Sequence, residues 1–188
     1  MELLTIDQII SLTQEETQGL DPEIREGIVL NKTDLPVSEL DRLKSQLQIQ
    51  DLNPIFRRYI LAYNWGQIGF LSYQFGYGDG TSLTWLIIRN LEYYDYSTLQ
   101  ESSLIIANGD PYTILLDCQS GAVYAVDAEM TYDEKIWLAP DFLAFVRAMG
   151  TAQSAVWKGC ESDFIHLMTR IGHASSLIFW QSLVGFYD

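Results

Sequence analysis

The spacing of apolar residues changes period twice along the chain, and each change predicts a change of element. Leu4, Ile6, Ile9, Ile10 and Thr13 recur at helical spacing, and Gly19 and Pro22 end that run. After Leu35-Pro36, the leucines Leu40, Leu43 and Leu47 fall at i, i+3 and i+7, with Ser38 and Asp41 as an N-cap signal. Asn53-Pro54 opens a third helix through Ile55, Phe56, Tyr59, Ile60 and Tyr63. An asparagine side chain can accept from the first free amides, and proline suits the first helical position. This helix is expected to stop at Asn64-Trp65-Gly66, with Gly66 supplying a left-handed turn.

The pattern then turns β. Phe70 to Phe75 predicts a short strand, Gly76-Tyr77-Gly78-Asp79-Gly80 a turn, and the run L-T-W-L-I-I from Leu83 to Ile88 a second strand. Ser103 to Ala107 predicts a third, and Gly109 the turn after it. Tyr112 to Cys118 and Ala122 to Asp127 form a hairpin across Gln119-Ser120-Gly121. In its second arm Val123, Ala125 and Asp127 alternate with Tyr124, Val126 and Ala128. Tyr124 and Val126 are expected to fill the core, leaving Asp127 and Glu129 outside. Pro140-Asp141 starts a helix with Phe142, Phe145, Val146 and Met149 on one face. Asp163 to Leu183 predicts one last helix, carrying Phe164, Leu167, Met168, Ile171, Ile178 and Phe179. Helices, then an antiparallel meander, then helices describe an α+β plan rather than alternating βαβ units.

Four segments together resemble the SUKH superfamily, the Smi1/Knr4-like group. They are L-N-P-I-F-R-R-Y-I-L-A-Y-N-W-G, I-I-A-N-G-D-P-Y-T-I-L-L-D, S-G-A-V-Y-A-V-D and L-A-P-D-F-L-A-F-V. The carrying residues are Asn64, Trp65 and Gly66, then Gly109 and Asp110, then Gly121, Val123 and Tyr124, and finally Phe142 and Phe145. The resemblance spans residues 35–150. It implies a single α+β domain over 1–150, with N-terminal helices, a mixed, mostly antiparallel sheet, and C-terminal helices packed on it. The resemblance does not carry the tail; there the pattern changes from Thr151 onward, and residues 151–188 are expected to form an appended helical element. The resemblance also implies protein-binding roles: bacterial immunity proteins that neutralise toxins, many of them nucleases, and fungal regulators acting through protein contacts. It implies no catalytic residue set.

Composition narrows the partners. The 188 residues carry 25 acids against 11 Lys and Arg, a formal charge of −14. Such a chain repels phosphate backbones and anionic bilayers and attracts basic proteins. Nucleic acid and membrane are therefore not expected partners. No apolar run is long enough to span a bilayer, since Leu177 to Tyr187 is broken by Gln181, Ser182 and Gly185. The opening M-E-L-L-T-I-D-Q lacks the basic region of a secretory signal. Cys118 and Cys160 form no C-x-x-C pair, so a reducing cytoplasm is the expected location.

Candidate chemistry is sparse. Gly76 to Thr81 has the glycines of a phosphate loop, but Asp79 places an anion in it, no lysine is near, and a strand is expected next. His166 and His173 stand i, i+7 on the predicted last helix, about 10 Å apart and too far to share a metal. Cys118 follows Asp117, which raises a thiol pKa rather than activating it. Asp127 and Glu129 form a two-apart carboxylate pair on one expected strand face, a weak basis for acid–base work. A hydrolase using Asp127/Glu129 or His166/His173 is the least favoured function, and no catalytic residue, metal or cofactor is expected.

One charge pattern stands out. Between Arg89 and Lys135 there is no Lys or Arg, while nine acids and six tyrosines fill the interval. Tyrosine gives contact area at low entropic cost, and carboxylates steer a basic partner. The expected partner surface is Glu92, Tyr93, Tyr94, Asp95 and Tyr96, with Asp127, Glu129, Asp133 and Glu134. The function these observations favour is a non-catalytic protein-binding domain: in its sharpest form an immunity protein binding a basic toxin domain, otherwise a regulatory or scaffolding domain with a cellular partner.

Overall fold

The computed structural model describes residues 1–78, 80–92 and 102–187. Its order is helices α1 (Ile6–Glu16), α2 (Pro22–Glu26), α3 (Ser38–Leu47) and α4 (Pro54–Ala62), then a hairpin of β1 (Gly69–Phe70) and β2 (Tyr73–Gln74). Helix α5 (Thr84–Glu92) follows, then β3 (Ser103–Asn108), β4 (Thr113–Asp117), β5 (Val123–Val126) and β6 (Ile136–Ala139). Helices α6 (Phe142–Lys158), α7 (Glu161–Ile171) and α8 (Leu177–Val184) complete the described chain. The six strands lie in sequence order and every described pairing is antiparallel, so the α+β plan holds.

Local chemistry explains most boundaries. Thr5 and Gln8 cap α1 reciprocally, the Thr5 hydroxyl accepting from the Gln8 amide and Gln8 Oε1 accepting from the Thr5 amide. Asn53 caps α4, accepting from the Ile55 and Phe56 amides, and its Nδ2 donates to the Ser120 carbonyl in the β4–β5 turn at 2.9 Å. The Asn53 amide also donates to the Cys118 carbonyl. Asp141 caps α6 through the Ala144 amide, and Gly159, at φ 63°, ends it.

Several expectations are corrected. Leu83 to Ile88 is not a strand but the start of α5. Its buried residues Leu83, Leu86 and Ile87 keep helical spacing, while Ile88 is 46% exposed, where a strand would have paired it with Leu86. Phe70 to Phe75 is two short strands, folded back at Leu71, which has φ 51°. Ser38 does not cap α3, whose N-cap position is Val37. Tyr63 leaves α4 in extended conformation, so Gly66 makes no left-handed cap. Gly66 is needed for space, because a Cβ there would sit 2.5 Å from the Gly80 backbone. Gly109 likewise lies under the Tyr73 ring, 2.5 Å from where its Cβ would be, whereas Gly121 is the expected left-handed turn residue at φ 81°. In β5 the buried residues are Val123 and Ala125, and Tyr124 and Val126 point to the other face. The single last helix is two helices, parted at Gly172-His173 by a short 3-10 turn (Ala174–Ser176).

The core lies on one face of the sheet, with α6 at its centre. Rings run continuously through it: Phe56 meets Phe142 at 5.2 Å, Trp65 meets Phe142 at 5.0 Å, and Phe75 bridges Trp65 and Phe145. Trp180 and Phe179 of α8 extend the chain to Phe164 of α7 and to Tyr73 and Tyr112 at the sheet. Truncating any one of the fully buried rings to Ala costs about 3–5 kcal/mol. The α7–α8 segment shares this core, and α6 runs unbroken across the expected boundary at 150/151.

Beyond the single Gln74–Asn108 pairing, β3 is not flanked by β2. Asn90 of α5 takes over there. Its Oδ1 accepts from the Ile105 amide at 2.8 Å and its Nδ2 donates to the Ile105 carbonyl at 3.0 Å, as a neighbouring strand would.

Candidate functional site: the outer face of the sheet

The register of β3 to β6 places Ile105, Leu115, Tyr124 and Trp137 in one row on the face opposite the core. Ile105 and Leu115 are buried, and Tyr124 and Trp137 are half-buried. The 3-10 turn Tyr132–Glu134 leads into β6 and brings Tyr132 beside this row, its hydroxyl 2.9 Å from Ser103 Oγ. Lys135 lies on these rings, its ammonium 3.6 Å from the Tyr132 centroid and 5.0 Å from that of Tyr124. The cation that ends the acidic interval is thus folded onto its tyrosines. Arg89, at the other end, is buried and donates to the Gln74 and Ile106 carbonyls.

Asp117 at the end of β4 and the acids of the β5–β6 loop are the charges nearest these strands in the chain, and three of them close turns. Asp117 accepts from the Gln119 and Ser120 amides and the Ser120 hydroxyl, tying the hairpin. Asp127 accepts from the Glu129 and Met130 amides. Glu134 accepts from the Thr131 amide and hydroxyl, both at 2.8 Å. Those two bonds, the amide first, hold its carboxyl below the usual range. Glu129 and Asp133 are exposed. Burial first, and then the Asp117 charge, raises the Tyr124 hydroxyl pKa, so the phenol stays neutral.

Of the sequence-predicted partner residues, the structure places Asp127, Glu129, Asp133 and Glu134 in the loop joining β5 to β6. Glu92 is exposed at the end of α5. Tyr93, Tyr94, Asp95 and Tyr96 lie outside the described residues. Sequence reasoning missed Trp137 because it assigned no strand between the hairpin and Pro140. His173, considered in the sequence only as a partner of His166, has its ring edge-on to Trp137 at 6.3 Å. The alternation I-W-L-A before Pro140 was the available signal for both the strand and its outward tryptophan.

The residues of the catalytic alternatives are placed differently from the sequence expectation. Asp127 and Glu129 are not a strand-face pair, since β5 ends at Val126 and Asp127 is engaged in a turn. His166 is on α7, whereas His173 lies beyond its end and bonds Ser175 Oγ at 2.7 Å. No group of three or more His, Cys, Asp or Glu able to hold a metal occurs among the described residues. The Cys118 thiol is pushed up to about 12, by burial first and then by Asp117. Among the described residues no helix is long and apolar enough to cross a membrane.

A helix and not a strand follows the glycine loop. The start of that helix is already occupied by an internal anion. Glu39 Oε2 accepts from the Leu83 amide at 2.8 Å, and Arg42 pairs with Glu39 at 3.3 Å and donates to the Thr84 hydroxyl.

The described residues include two open grooves among others. One of about 380 Å³ lies between the glycine loop and Trp85. The other, of about 390 Å³, lies between α1, α4 and α6. No family model matches the chain, and no curated protein matches it at a significant level.

Proposed function

We propose that the chain is a non-catalytic protein-binding domain that presents the outer face of its sheet to a basic partner. The supporting observation is the row of Tyr124 and Trp137, with Tyr132 beside it, the Asp117 charge acting on Tyr124, and the acids Asp127, Glu129, Asp133 and Glu134 in the loop that joins β5 to β6. Half-buried aromatics with carboxylates nearby combine contact area with electrostatic steering. In the sharpest form of this reading the protein is a cytoplasmic, SUKH-like immunity protein and the partner a basic toxin domain.

The test is surface plasmon resonance against a basic toxin domain, to be sought among the products of the neighbouring genes. Glu129→Lys with Asp133→Lys is the variant of choice, because neither side chain closes a turn. The association rate is expected to fall about tenfold at low ionic strength and to lose much of its salt dependence. Trp137→Ala is expected to speed dissociation. Unchanged kinetics in both variants would place the binding surface elsewhere.

A further inference from the structure

The groove between α1, α4 and α6 runs against the charge of the whole molecule. The chain carries −14, yet three of its 11 basic residues, Lys32, Arg58 and Arg147, gather here. The acid in the groove, Asp7, is paired with Lys32 at 3.6 Å. Neither ion pair among the described residues uses Arg58 or Arg147. The Arg58 guanidinium stands 5.5 Å from the centre of the Tyr59 ring. Arg147 spends Nε on the Leu4 carbonyl and Nη2 on the Leu3 carbonyl, both at 2.8 Å. Its guanidinium is thereby fixed beside the groove, with Nη1 outside those bonds. Tyr59 of α4 and Tyr63, the extended residue just past its end, stack at 6.2 Å with their planes 5° from parallel, giving the groove a flat aromatic wall. Burial first, and then Asp7, raises the Tyr63 pKa, so its phenol remains a proton donor.

We propose that this groove binds a small organic carboxylate with a flat apolar body. Arg58 and Arg147 take the carboxylate, and the tyrosine pair and Ile6 take the body. Charge-assisted bonds from guanidinium to carboxylate are the strong ones, and about 390 Å³ accommodates a single-ring ligand. The site is independent of the outer-face reading, since it is built from helices and shares no residue with that face.

The experiment is an NMR titration of the full chain with benzoate, benzamide and benzamidine as anionic, neutral and cationic probes of one shape. Benzoate is expected to shift resonances of Tyr59, Tyr63 and Leu143 and to bind at least about tenfold tighter than benzamide. Arg58→Gln is expected to lower benzoate affinity about tenfold at an unchanged melting temperature, and Asp7→Asn to raise it. Arg147 is left intact, because its guanidinium anchors the chain before α1. Preference for benzamidine, equal binding of benzoate and benzamide, or full benzoate affinity in Arg58→Gln would each overturn the proposal, as would the absence of any shift at millimolar benzoate.

Discussion

At the scale of single residues, polar groups are mostly committed to closing turns, and their titration follows from that. Glu134 has its carboxyl lowered by two bonds from Thr131. A carboxylate whose pKa is lower folded than unfolded stabilises the fold above its unfolded pKa. That contribution fades as pH falls through the lowered value. The Thr131 amide resonance is therefore expected to titrate below the usual carboxylate range, and Glu134→Gln to abolish that transition. Cysteine reactivity divides in the same way. Cys118 is buried with its thiol pushed up to about 12, while Cys160 is partly exposed. One equivalent of a thiol reagent at mildly alkaline pH is expected to label Cys160, with Cys118 reacting only after denaturation. Rapid double labelling of the native protein would contradict the burial of Cys118. The inertness of Cys118 was legible from Asp117 and its apolar neighbours. The engagement of Lys135 with two tyrosines was not, because Tyr124 and Tyr132 meet only once the β5–β6 loop folds back.

At the scale of elements, the readings that held had their signal within a few residues of the element itself. Asn53-Pro54 for α4, Asp141 for α6 and Gly121 for the hairpin are each a chemical requirement at one position. The readings that failed depended on distant partners. L-T-W-L-I-I is an apolar run too short to show its period, and helix α5 is fixed by Glu39 at its start and by Asn90 against β3. The faces of β5 were assigned so that Asp127 and Glu129 lay outside, which turned Tyr124 and Val126 inward. Pairing decides otherwise: Val123 and Ala125 oppose Leu116 and Ile114 on the core side, where the rings of α4 and α6 already supply the volume. Gly66 was read as a helix stop, while its actual constraint is a backbone fourteen residues onward. Gly66→Ala is therefore expected to destabilise by about 2 kcal/mol or more in denaturant titration, since a new methyl must displace the Gly80 main chain. A loss below about 0.5 kcal/mol would show that the loop yields easily.

At the scale of the molecule, charge and order dominate. A net charge of −14 on this chain sets carboxylates against one another across the surface. Its melting temperature is expected to rise by a few degrees between about 0.01 M and about 0.15 M sodium chloride, as the Debye length shrinks from about 30 Å to about 8 Å. A flat or falling dependence would mean that favourable pairs outweigh the repulsion. The α+β plan was legible as a whole because the hydrophobic period changes where the layers change. The appended character of residues 151–188 was read from a change of pattern, and in the structure those residues share one core with the rest. One joint has a consequence for how the chain reaches this state. Asn53 grips both its own helix and the turn of a hairpin more than sixty residues later. If β4 slid one place against its neighbours, every side chain on it would change face, and the Cys118 and Ser120 carbonyls would leave Asn53. The asparagine thus acts as a proofreader of strand alignment: its Nδ2 and its main-chain amide find their acceptors only when the hairpin is in its native frame.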